Sequence, residues 1–156
     1  MKSLKIYNKK QKTAVITGAS EGIGAAFAKL LIKKGWQVIG ISRSSRKLNS
    51  ISKNISSNNQ SFKYFSCDVQ DFKKLNVIAK EIKSPDLLFL NAGIYSPVNA
   101  SEINLDVYKK HFNINYLGVL NSYEAFLPGF ISNKNGHIII MSSVSGWIGL
   151  PKAAAY

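Results

Sequence analysis

Five short apolar runs, separated by amphipathic stretches, limit what this chain can fold into more than any other feature. They are AVIT (14–17), QVIGI (37–41), FKYFS (62–66), DLLFL (86–90) and HIIIM (137–141), each bounded by turn residues. Short, mostly apolar runs of this kind read as strands buried on both faces. Helical patterns lie between them, so the chain alternates strand and helix. That order predicts βαβ units and a parallel sheet.

The first helical stretch is EGIGAAFAKLLIKKG, where Ile23, Phe27, Leu30 and Leu31 recur at i, i+4, i+7 and i+8. That spacing predicts one apolar face, with Gly35 as the C-terminal stop. A second helix is expected over 45–57 and a third over 70–82, ending before Ser84-Pro85. The longest is expected over 105–127 and should stop near Pro128. Its apolar face would carry Phe112, Tyr116, Val119, Leu120, Tyr123 and Leu127. The serine- and asparagine-rich segment 50–61 reads as a helix end and surface loop. With no internal repeat and no linker, residues 1–156 are expected to form one domain.

Composition narrows the function classes. The chain has 46% hydrophobic and 19% charged residues, as a globular protein should, and no apolar run approaches the ~20 residues of a membrane span. The basic N-terminus MKSLKIYNKKQK lacks the apolar block of a secretory signal, so a cytoplasmic protein without membrane attachment is expected. The single cysteine, Cys67, is expected to be a buried core residue, and no Cys/His cluster has the spacing of metal ligands. A formal charge of +13 raises a nucleic-acid hypothesis, but the lysines are scattered over helical surfaces and loops. No nucleic-acid partner is expected. The charge does favour polyanionic ligands, phosphorylated cofactors among them.

TGASEGIG (17–24) falls between the first strand and the first helix. Backbone beside a pyrophosphate must come close, and glycine at Gly18, Gly22 and Gly24 removes obstructing side chains. The adjoining helix offers unpaired N–H groups and the positive end of its dipole. Ser20 adds a hydroxyl donor, and Ile23 completes the turn. A tight strand-to-helix turn needs no ligand, but in this setting the segment predicts a dinucleotide site.

A ribose with free hydroxyls is commonly held by Asp or Glu about 20 residues beyond the glycines. Here Arg43 stands nineteen positions after Gly24, and no acidic residue lies between Glu21 and Asp68. Arg43, Arg46 and Lys47 cluster just past the second strand. A guanidinium cannot accept from a ribose diol, but its fork suits a 2′-phosphate. NADP is therefore expected over NAD.

Together these motifs resemble the classical short-chain dehydrogenase/reductase family, from about Thr13 to the final residue. TGASEGIG is similar to the family's TGxxxGxG, and LNAG (90–93) to its NAG motif, which adds Asn91, Ala92 and Gly93 to the cofactor site. CDV (67–69) resembles the segment that sets an aspartate against the adenine, here Asp68 followed by Val69. NINYLG (113–118) resembles the helix motif with the active-site asparagine, here Asn115. GHIIIMSSVSG (136–146) resembles the fifth strand and its catalytic serine. Ser143, thirteen positions before Tyr156, has the family's separation from the tyrosine; Ser142 does not.

The resemblance implies a Rossmann-like, doubly wound parallel sheet, incomplete at about five strands, with helices on both faces. It implies hydride transfer between nicotinamide and a carbonyl or alcohol substrate. Asn115 would organise a water relay, Ser143 would orient the carbonyl, and Tyr156 would exchange the proton. Hydroxyl donors suit that task because charge develops on the carbonyl oxygen. The family lysine four positions after the tyrosine would stand at 160, beyond these 156 residues, so impaired or absent catalysis is expected of them alone. The same reasoning expects strand five to be an uncovered edge, and a homo-oligomer only for a form of full family length. Two other readings are a non-catalytic dinucleotide-binding module and, on charge alone, a basic nucleic-acid-binding protein.

Overall fold

The structure is a computed structural model and describes residues 11–55, 61–99 and 101–156. Its strands are β1 (Thr13–Thr17), β2 (Gln37–Ser42), β3 (Phe62–Ser66), β4 (Leu87–Leu90) and β5 (His137–Ile140). All five apolar runs therefore become strands, within a residue or two at each end. They pair in parallel in the order β3-β2-β1-β4-β5. The chain reverses direction across the sheet between β1 and β4. In open α/β sheets that switch point opens a crevice at the C-terminal strand ends.

Strand alternation divides the core between two faces. Ala14, Ile16, Leu87 and Phe89 point to one face, where α1 (Gly22–Lys33) and α2 (Ser45–Ile55) pack. Val15, Ile39, Ile41, Leu88 and Leu90 point to the other, against α3 (Phe72–Ile82) and α5 (Gly118–Asn133). The helices thus cover both faces as expected. The last two positions of the expected 45–57 helix lie outside the described residues, as do residues 1–10.

Four expectations about the helices are corrected. In α1, Ile23 and Leu30 are exposed, and the packed face is Gly24, Ala25, Ala28 and Leu31, with Phe27 alongside. Small residues win there because they let the helix axis approach the sheet closely. The helix still ends as anticipated: Gly35 takes φ +82° and its N–H caps the Ile32 carbonyl at 2.9 Å.

The longest helix neither runs uninterrupted nor stops at Pro128. It comprises α4 (Leu105–His111), a π-helical turn over Phe112–Leu117, and α5, which passes through Pro128 to Asn133. The wider turn shifts the helical phase of α5. Ile114, Ser122, Ala125, Phe126 and Phe130 face inward, while Phe112, Tyr116, Leu120 and Tyr123 stand exposed; Phe112 and Tyr116 stack at 5.1 Å. Pro128 is tolerated because Ala125, Phe126 and Phe130, on either side of it, share one core. The Ser84 hydroxyl also donates to the Gly129 carbonyl at 3.0 Å.

β3 and β5, the two edges of the sheet, are not buried on both faces as their apolar runs suggest, and β5 is the more exposed. It pairs with β4 alone, and Ile139 and Ile140 are 42% and 56% exposed. Apolar residues continue on the surface through Val144, Trp147, Ile148 and Leu150. Among the described residues no helix is long and apolar enough to cross a membrane.

Candidate functional site

Thr17, the last residue of β1, anchors the site. Its side chain is 1% exposed, and its Oγ1 accepts from the N–H groups of Asn91 and Ala92 at 3.0 and 3.1 Å. In return, Asn91 Nδ2 donates to the carbonyls of Thr17 and Gly18 at 3.2 and 3.3 Å. The glycine-rich turn and the LNAG segment are thereby laced together across the switch point.

This lacing changes what the glycines are for. A Cβ at Gly18 would lie 2.8 Å from the Ala92 Cα, at a φ of +67°. One at Gly24 would strike the Gly18 carbonyl and come within 2.6 Å of Asn91 Nδ2. Both glycines make room for the chain's own backbone and side chains. Gly22 is different: it has φ +54° and open space around it. It begins α1, whose N-cap Glu21 makes no side-chain capping bond, so the helix N-terminus is left for another acceptor.

A cleft beside the turn is lined by Gly18, Ser20, Arg43, Asp68 and Val69, and by Asn91, Ala92 and Gly93. The Ser42 hydroxyl donates to Ser20 Oγ at 2.8 Å, and Ser66 holds the Arg43 carbonyl at 2.9 Å. The Arg43 side chain stays exposed at the rim. Glu21, overlooked in the sequence because it precedes the helix, also lines this cleft and is paired with Lys47. Asp68 accepts from the Gln70 N–H at 3.0 Å, which fixes its carboxylate. Cys67 is almost wholly buried beneath it. Burial first, then the nearby Asp71 carboxylate, push its thiol up to about 11, which suits an unreactive core residue.

A second cleft shares Asn91, Ala92, Gly93 and Ile94 with the first and adds Ile23, Asn115, Ser143 and Tyr156. Ser142 lines it too. Ser143 Oγ accepts from the Ser145 N–H at 3.2 Å, which leaves its O–H free to donate. Asn115 is engaged at both ends of its amide: Oδ1 accepts from the Ile94 N–H at 2.8 Å and Nδ2 donates to the Ile94 carbonyl at 2.9 Å. Its side chain therefore orders the loop after β4. The Tyr156 ring, 44% exposed, meets Tyr95 edge-on at 5.3 Å and His111 at 6.4 Å.

Of the anticipated site residues, Gly24 alone is packed away from both clefts, beneath the turn, and Gly22 stands at the open helix start. The others line one cleft or both. Besides Glu21, two contributors were missed, Thr17 and His111. Thr17 could have been found from its place directly before Gly18; His111 has no signal in the sequence beyond its type.

The residues fit a phosphorylated dinucleotide: an uncapped helix start adjoins a cleft edged by two hydroxyls and a guanidinium. Comparison with known proteins agrees. The model of the short chain dehydrogenase family matches residues 12–156. The chain belongs to that family.

It is 41% identical over 151 residues to an uncharacterized oxidoreductase of Listeria monocytogenes, covering 94% of this chain and 61% of the relative. It is 33% identical over 164 residues to a very-long-chain 3-oxoacyl-CoA reductase of Coccidioides immitis, covering 99% of this chain and 47% of that one. The chain thus spans only about half to three fifths of these relatives. A solved structure of ElxO with NADP bound superposes with a TM-score of 0.87 at 28% identity, covering 93% of this chain and 60% of that one. An actinorhodin polyketide ketoreductase with NADPH gives the same TM-score at 24% identity, covering 94% and 58%, and shares the fold.

Proposed function

We propose that this chain carries the cofactor site and most of the catalytic groups of an NADP-dependent oxidoreductase acting on a carbonyl or alcohol. The observation that carries this reading is the shared wall of the two clefts. Asn91–Ile94 lies between a phosphate-suited turn and a cavity edged by Ser143 and Tyr156. Bound NADPH would give its hydride to a carbonyl, or bound NADP⁺ would take one from an alcohol. The uncapped start of α1 at Gly22 would receive the pyrophosphate, and Ser20 and Arg43 the 2′-phosphate. Asp68 and Val69 would border the adenine.

On the other side, the free O–H of Ser143 would donate to the substrate oxygen and hold the carbonyl in place. Tyr156 would hand over or take the proton, a role for a positioned side chain worth about 10²–10⁴-fold. Asn115 serves first by fixing Ile94, and so the wall itself. Residues 1–156 form one unit in this reading, which operates in the cytoplasm without nucleic acid. Homo-oligomerisation is proposed only for a form of full family length.

The test is carbonyl-dependent oxidation of NADPH by the protein as its source makes it, over a broad aldehyde and ketone panel. Turnover with NADPH, and weaker binding of NADH by calorimetry, is the expected outcome. No turnover with any carbonyl, or tighter NADH binding, refutes it.

A further inference from the structure

His111 is a buried ionisable side chain beside Tyr156. It lies one helical turn before Asn115, is 1% exposed, and contacts the ring of Tyr156. Its hydrogen bonds define its state. Nε2 lies 3.1 Å from the Ser96 N–H, which can only donate, so Nε2 is the acceptor and bears no proton. Nδ1 lies 2.8 Å from the Val107 carbonyl, which can only accept, so Nδ1 bears the proton. The ring is neutral, and both its nitrogens are committed.

His111 and Asn115 grip the same segment at alternate residues. Asn115 takes the N–H of Ile94 and His111 the N–H of Ser96, the register at which an extended strand presents N–H groups along one edge. Tyr95, between them, packs against Tyr156. Two residues on, the Val98 N–H donates to the Lys152 carbonyl at 2.9 Å and ties this segment to the stretch leading to Tyr156. An apolar side chain at 111 would fill the space but leave Ser96 unheld.

We propose that His111 is a positioning residue: as the neutral Nδ1–H tautomer it fixes the 94–96 segment and, with Tyr95, sets the Tyr156 ring at the edge of the second cleft. Its catalytic consequence rests on the function proposed above; its structural content does not.

The test uses the protein as its source makes it and two variants. His111→Phe keeps a ring but has no acceptor, and His111→Gln can still accept from Ser96. In His111→Phe, amide exchange at Ser96 should accelerate about ten-fold and kcat should fall about ten-fold, with NADPH affinity unchanged. His111→Gln should restore both to within about three-fold. Unchanged exchange at Ser96, unchanged kcat, or a Gln variant that behaves like Phe overturns the proposal. If His111→Phe does not fold, ¹⁵N spectra of the unsubstituted protein decide: an Nε2–H tautomer overturns it. If the unsubstituted protein oxidises no NADPH, the proposed reaction fails, and exchange at Ser96 with the ring shifts of Tyr156 decides the positioning role.

Discussion

The turn after β1 and the segment after β5 both lie at C-terminal strand ends, yet they are built in opposite ways. Around Thr17–Gly24 the chain is interior. β1 and its neighbours are buried, Thr17 takes two backbone N–H groups, and two glycines have no space for a methyl group. From β5 to Tyr156 the chain is mostly surface: β5 has one neighbour, and Trp147 is 88% exposed. A few tethers hold it, among them Met141 N–H on Leu90 and Val98 N–H on Lys152. The turn after β1 is therefore fixed by close packing, where small volume changes are felt. The segment after β5 is fixed by individual contacts, each of which can be removed singly.

Substitutions can break that contrast at chosen points. The largest effect is expected at Gly24. Gly24→Val would drive a side chain into the Gly18 carbonyl and Asn91, at a cost of about 3 kcal/mol or more, with loss of NADPH binding. Urea denaturation and calorimetry read the two effects. Thr17→Val keeps the shape but strands the N–H groups of Asn91 and Ala92, for about 1–3 kcal/mol in the same denaturation assay. Arg43→Ala should leave stability alone and weaken NADPH about ten-fold or more, with NADH barely changed; titration of both cofactors checks it. At the far end of the scale, Trp147→Ser should shift stability by no more than about 0.5 kcal/mol. A larger loss there would mean that the surface segment is more integral than its exposure indicates.

The same contrast explains what could be read from the sequence. All five strands were legible because each is a short apolar run, and β1, β2 and β4 are buried on both faces as that pattern requires. The glycine-rich turn between β1 and α1 was legible because its features are local: glycines, a hydroxyl and a helix start within eight residues. Helix faces were less so. Ile23 and Leu30 gave a good apolar period, but alanines and Gly24 make the contact with the sheet. Beyond residue 111 the period failed because a π turn, invisible to a 3.6-residue count, shifts the phase. Pro128 misled because shared packing of Phe126 and Phe130 outweighs its helix-breaking tendency.

In the site, Asn115, Ser143 and Tyr156 were placed by resemblance, and they share one cleft. The partners that orient them, Ile94, Ser96, Tyr95 and His111, depend on contacts between distant parts of the chain. No local pattern encodes those.

The central claim is that the two clefts sharing Asn91–Ile94 form one hydride-transfer site with Tyr156 as its proton donor. Its most direct test compares the unsubstituted protein, as its source makes it, with Tyr156→Phe for carbonyl-dependent NADPH oxidation, alongside NADPH affinity by calorimetry. The account predicts unchanged NADPH affinity and turnover lower by about 10²-fold or more in the variant. A Tyr156→Phe protein that keeps its turnover, or one that loses NADPH binding together with it, would contradict it.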